Sequence, residues 1–223
     1  MRKLGLAIVS TALIVLVTPT LLASGGRPSG SPRVDAPQLT PQQKAVQHYN
    51  RGLKNRDKAW KHEEKAEKQS NESKRSKELE KAQKQFHKAI KEFRSATSLV
   101  PTFHQAYSSL GYALRRTGQF EDSLQAYNRA LGLHPGYVEA IEYRAEAYLG
   151  LNRLDEVKVA YLQLVRQDAE QAGKLMEAMK AWVGERREDN KVDAATVEEF
   201  AKWVAERDSI ATTTSSVERR GSW

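Results

Sequence analysis

The chain has 223 residues, no cysteine, and 36 basic against 28 acidic side chains, for a formal charge of +8. That length suits one domain plus tails. The missing cysteines exclude a disulfide framework, cysteine-ligated zinc, an iron–sulfur cluster, a thiol nucleophile and a lipid-modified cysteine anchor. With 29% charged and 39% apolar residues the chain is polar, and its positive charge raises an anionic partner.

Residues 1–24 read as a signal peptide or an N-terminal anchor. Arg2 and Lys3 precede an apolar run from Leu4 to Val17, and Pro19 breaks it before the small residues Ala23, Ser24 and Gly25. Cleavage after Gly25 fits the small-x-small rule; the competing reading keeps residues 4–23 as a membrane anchor. Both place the remainder outside the cytoplasm, periplasmic or secreted. Residues 25–40 read as a flexible linker rich in Pro and Gly. Thr40-Pro41-Gln42-Gln43 then has the form of a helix start, with a capping Thr, Pro at the first position and Gln three residues after the cap.

Residues 41–101 are expected to form an elongated, charged helical hairpin. Lys61 to Lys84 contains neither Pro nor Gly and is mostly Glu, Lys, Gln and Ala, all good helix formers. Its Ser and Asn residues cluster from Ser70 to Ser76, so the spacing predicts a tip near Gln69-Ser70-Asn71. Glu64–Lys68 and Glu80–Lys84 are placed for i,i+4 support. Disorder is the competing reading, because Ala66, Leu79 and Ala82 are the segment's only apolar residues.

After Pro41 only Pro101 and Pro135 remain, 34 residues apart. His104 to Tyr137 reads HQAYSSLGYALRRTGQFEDSLQAYNRALGLHPGY. With Tyr107, Leu110-Gly111, Gly118, Phe120, Tyr127, Ala130 and Pro135 it resembles a tetratricopeptide repeat, a helix–turn–helix unit of this period. The likeness implies an all-α fold: a short solenoid of antiparallel helix pairs with an extended first hairpin and C-terminal capping helices. Residues 102–137 form one repeat. Residues 138–171 form a second, with Ala145, Tyr148, Leu154 and Tyr161 on the positions of Gly111, Leu114, Phe120 and Tyr127. Arg144, Leu164 and Ala169 depart from the pattern. Backwards, Phe86, Ala89, Phe93, Ala96 and Pro101 match a second helix, while its first helix resembles the segment around Gly52. About 25 inserted residues, or seven helical turns, separate the two halves.

Residues 172–209 are expected to cap the array: Leu175, Met176, Met179, Trp182 and Val183 recur at helical spacing, and Asp193 precedes a face of Val197, Phe200, Ala201 and Val204. Residues 210–223 lack periodicity and read as a disordered tail.

No catalytic constellation is visible, and the chain is not read as an enzyme. The five histidines form no HExxH pair, and phosphate loops and nucleophile elbows are absent. Neither a metal nor another cofactor is expected. The resemblance implies a concave groove lined by the first helix of each repeat, holding an extended peptide or a partner helix. By register that groove receives Gln105, Ser108, Tyr112, Arg115 and Arg116, then Glu139, Glu142, Glu146 and Leu149. The three glutamates share one helical face, which serves equally as a solvated stripe or a binding stripe. Ser108 and Tyr112 replace the Lys and Asn with which chaperone-binding members of the family clamp a terminal carboxylate, so that clamp is not expected.

The leading functional expectation is an exported scaffold or adaptor for a protein partner, bound by the groove, the hairpin or both. The alternative is a binder of an anionic envelope surface or polymer. Residues 44–94 carry +8, against +3 for 1–43 and −3 for 95–223, so the basic character belongs to the hairpin. Nucleic acid is disfavoured, because few aromatic residues interleave the lysines.

Overall fold

The structure, a computed structural model, describes residues 38–221, with side chains through Ala211. The expected leader or anchor, nearly all of the linker and the last two residues lie outside the described residues. Residues 40–221 belong to one compact unit.

Among the described residues eight helices pack in sequential pairs: α1 (Pro41–Glu67), α2 (Glu72–Leu99), α3 (His104–Arg116), α4 (Phe120–Leu133), α5 (Val138–Gly150), α6 (Leu154–Gln167), α7 (Ala169–Asp189) and α8 (Ala194–Gly221). This is the expected all-α array of helical repeats. Local chemistry sets the starts. Thr40 and Gln43 form a complete capping box, Asn71 accepts from the Lys74 amide to open α2, and Asp168 and Asp193 do the same for α7 and α8. α8 runs on to Gly221, past residue 210, where periodicity ends in the sequence. No described helix is long and apolar enough to cross a membrane.

α1 and α2 have 27 and 28 residues, twice the 13 and 14 of α3 and α4. The extra length follows from small residues at heptad spacing. Ala45, Gly52, Ala59 and Ala66 are all buried on one side of α1, facing Ala82, Phe86, Ala89, Phe93 and Ala96 of α2. Two long helices can thus lie close together without a wide apolar face. Residues 61–84 are helical apart from the turn between the two helices.

The repeat period reappears in the packing. A Cβ built on Gly111 would stand 2.7 Å from the Tyr127 ring, and one on Gly52 would stand 2.4 Å from the Phe93 ring. Phe93 and Tyr127 are one 34-residue period apart, so Gly52 does in the hairpin what Gly111 does in the ordinary repeat. Ser123, where the family usually has alanine, is buried and donates its hydroxyl to the Gly111 carbonyl at 2.8 Å. That bond satisfies an otherwise costly buried group.

The turn between α5 and α6 copies the one between α3 and α4 with a different residue. Gly118 has φ +77°, and Asn152, one period later, has φ +57°. Asparagine tolerates the left-handed region better than other side chains but not as well as glycine. Asn152→Gly is therefore expected to raise stability by about 0.5 kcal/mol and Asn152→Ala to lower it by about 1 kcal/mol in urea unfolding.

Candidate binding surface on the odd-numbered helices

Helices α1, α3, α5 and α7 are successive neighbours and form one side of the array. All nine residues assigned to the groove by register stand on α3 or α5, but they do not form an open stripe. Ser108, Tyr112, Glu142 and Leu149 are buried. Gln105, Arg115, Arg116, Glu139 and Glu146 are half-buried. The middle of this side is thus filled by its own side chains.

Neighbouring first helices do the filling. From the extension of α1, Trp60 donates its indole N–H to the Tyr112 hydroxyl at 2.7 Å, and Glu63 accepts from Arg116. Arg116 also lies over the Phe86 ring, 5.5 Å from its centroid. From α7, the Trp182 indole donates to the Leu149 carbonyl at 2.9 Å and covers it. Burial pushes the Tyr137 phenol up to about 12.

At the centre lies an ionic cluster. Arg115 of α3 donates to the Glu146 carboxylate of α5, and its guanidinium lies 5.4 Å and 5.8 Å from the ring centroids of Tyr112 and Tyr143. Burial alone would make Arg115 easier to deprotonate; Glu146 outweighs it and the guanidinium stays charged. Glu142, one turn before Glu146, is only 1% exposed, and its Oε2 has no hydrogen-bond partner among the described residues. Burial, then the Glu146 carboxyl beside it, push its pKa far above the ordinary carboxylate range, against Arg115 and Lys174. Two carboxyls and one guanidinium thus settle with Glu142 protonated and Arg115 paired to Glu146. Tyr127 and Tyr143, at the margin of the cluster, are also raised by burial.

The open part of this side is at its N-terminal end. There Gln105 lines a hollow of about 270 Å³ with Gln42, Val46, Val100 and Phe103. Val46 is 47% exposed, one of the few large apolar side chains left uncovered. Glu139, at the start of α5, is the remaining half-buried groove position and has no ion pair among the described residues. The hollow combines apolar walls with the two amides of Gln42 and Gln105. It suits an extended backbone carrying a small apolar side chain.

Register could not supply Trp60, Glu63 and Lys174, because they sit on helices outside the matched motif. Trp60 did carry a signal: it is an aromatic residue at the edge of an otherwise charged segment. Among the described residues no group of three His, Asp or Glu is placed to hold a metal ion.

Compared with known proteins, residues 75–138 and 109–172 match the tetratricopeptide repeat family, in two overlapping stretches. The match spans α2 to α6 and starts inside the elongated hairpin. No curated protein matches the chain. The family is a non-catalytic one, and its repeats serve in general as scaffolds that bind other proteins. With the paired helices, the glycine–ring contacts and the 34-residue period, the match makes residues 75–172 of this chain a run of tetratricopeptide repeats.

Proposed function

We propose that this chain is an exported adaptor, periplasmic, secreted or held at a membrane through residues 4–23, that docks a protein partner at the N-terminal end of its first-helix face. The observation that carries the reading is the hollow beside Gln105. There apolar surface and the side-chain amides of Gln42 and Gln105 are open together, while Ser108, Tyr112, Glu142 and Leu149 further along the face are buried. An extended segment of the partner lies along α1 and α3 there. The apolar leader-like run from Leu4 to Val17 supports export.

Site-specific crosslinking checks this. Photo-reactive residues at Val46 and Gln105 are expected to trap one discrete partner in the intact envelope, and capture is expected to survive about 0.5 M salt, where exposed charge pairs are screened. A probe at Asn128, exposed on α4, serves as the control. Equal capture from Asn128, or none from Val46 and Gln105, refutes the site.

A further inference from the structure

The basic character of the first hairpin is arranged rather than scattered. On α1, Lys54, Lys58, Lys61, Lys65 and Lys68 follow one another at spacings of 4, 3, 4 and 3. On α2, Lys77, Lys81, Lys84, Lys88 and Lys91 do the same. That spacing keeps each set in one straight row along its helix. All ten are exposed. Each row runs about 21 Å at 1.5 Å per residue.

The two rows flank a single seam. Arg51 extends the α1 row by one step and donates to Glu92 beside Lys91, and His48 bonds the same carboxylate at 2.8 Å. Further out, Lys81 bonds Glu78, which holds His62 next to Lys61 at 2.8 Å. These bonds hold Glu78 ionised, its pKa drawn down to about 2 by Lys81 and then His62. The side chains that reach α3 are others: Trp60, Glu63 and Gln83. The rows therefore lie on the side of the hairpin turned away from the repeats. Lys68, Lys81 and Lys84 pair with carboxylates of their own helices, while the other seven form no ion pair among the described residues.

We propose that this two-row face docks on an anionic phospholipid bilayer. The end of a repeat array needs a polar outer surface, but mixed charges meet that need, and every row position here has one sign. The face offers no aromatic platform for stacking single-stranded bases and no apolar anchors for a docked helix. All ten charges are lysine ammoniums on flexible stems rather than guanidinium forks, which suits a mobile lattice of headgroups. Two helices side by side, with axes about 8–10 Å apart, present a shallow face that a plane can meet along its whole length. A duplex, curving away as a cylinder, meets it along a line. The face is separate from the hollow at Gln105, so failure of one reading leaves the other standing.

Vesicle co-sedimentation of the full chain tests the proposal. The reading is the partition ratio between vesicles containing about 30% phosphatidylglycerol and neutral phosphatidylcholine vesicles, which removes any contribution of the apolar N-terminal run. Each lysine near such a surface strengthens binding about fivefold, so the triple variant Lys58→Gln, Lys65→Gln, Lys88→Gln should lower the ratio about a hundredfold. Glutamine keeps helix propensity, and circular dichroism checks the fold. Lys→Arg at the same three positions should leave the ratio unchanged, as should the equally charge-reducing Arg166→Gln, Lys191→Gln, Lys202→Gln. A ratio near one for the parent chain, or an equal loss in the second triple, overturns the proposal. So does a row variant that loses duplex DNA binding but keeps its vesicle ratio.

Discussion

Glu146→Ala is expected to destabilise the protein by about 3 kcal/mol, because it leaves the buried Arg115 guanidinium without its charge partner. Glu142→Gln is expected to do the reverse. In the parent protein Glu142 is buried, protonated and pushed far up by its surroundings. A carboxyl with a raised folded-state pKa binds its proton more tightly folded than unfolded. Its contribution is therefore fully present below the ordinary value near 4.5 and declines as pH rises through the raised one. The amide in Glu142→Gln cannot ionise, so the variant's advantage over the parent should be small at about pH 4 and grow as pH rises above the ordinary carboxylate range. Urea unfolding at several pH values reads this directly. The double variant should lose more than the sum of the two. With Glu146 gone, Glu142 sheds its like-charge neighbour and can ionise to replace the lost partner of Arg115; glutamine removes that rescue. A constant difference between Glu142→Gln and parent across that rise in pH would mean that Glu142 is already ionised when folded.

The repeats are legible in the sequence because their determinants are local. Gly111 and Tyr127 lie close in sequence and pack on one another through one tight turn, so chain spacing reports contact. Gly52 and Phe93 carry the same contact across the hairpin insertion, and arithmetic on the period recovers it. The candidate face is legible only as far as register goes. Register puts Tyr112, Arg115, Glu142 and Glu146 on the side that faces neighbouring first helices. Whether that side is open depends on what those neighbours bring. The extension of α1 carries Trp60 and Glu63 onto α3, and α7 places Trp182 on Leu149. These contacts span 33 to 53 residues and belong to elements without a repeat motif. The stripe at 139, 142 and 146 reads in the sequence as solvated or binding, and the structure gives a third outcome at its centre: a buried carboxyl beside an internal ion pair. The lysine rows, by contrast, are in the sequence throughout. Only the paired helices show that the two rows share one seam.

Gly111 and Tyr127 make the sharpest test of the repeat architecture. Tyr127 is fully buried between the two helices, and Tyr127→Ala should cost about 3–5 kcal/mol through lost burial and the cavity left behind. Gly111→Ala is the smallest substitution available, yet its methyl would stand 2.7–2.9 Å from three atoms of the Tyr127 ring. The ring has little room to retreat, with the Tyr143 ring centroid 6.4 Å away, and about 1–3 kcal/mol should be lost. The gain in helix propensity from Gly to Ala, about 1 kcal/mol, offsets part of this. In the double variant the methyl enters space that the ring has vacated, so the clash disappears while the propensity gain remains. The double should therefore be more stable than Tyr127→Ala alone, with a coupling energy of about 1–3 kcal/mol in urea unfolding. The same cycle at Gly52 and Phe93 should give a coupling of the same sign, since a Cβ there would stand 2.4–2.9 Å from the ring. Additivity at Gly52 and Phe93, with coupling at Gly111 and Tyr127, would show that the elongated hairpin is a helical pair of another kind rather than a lengthened repeat.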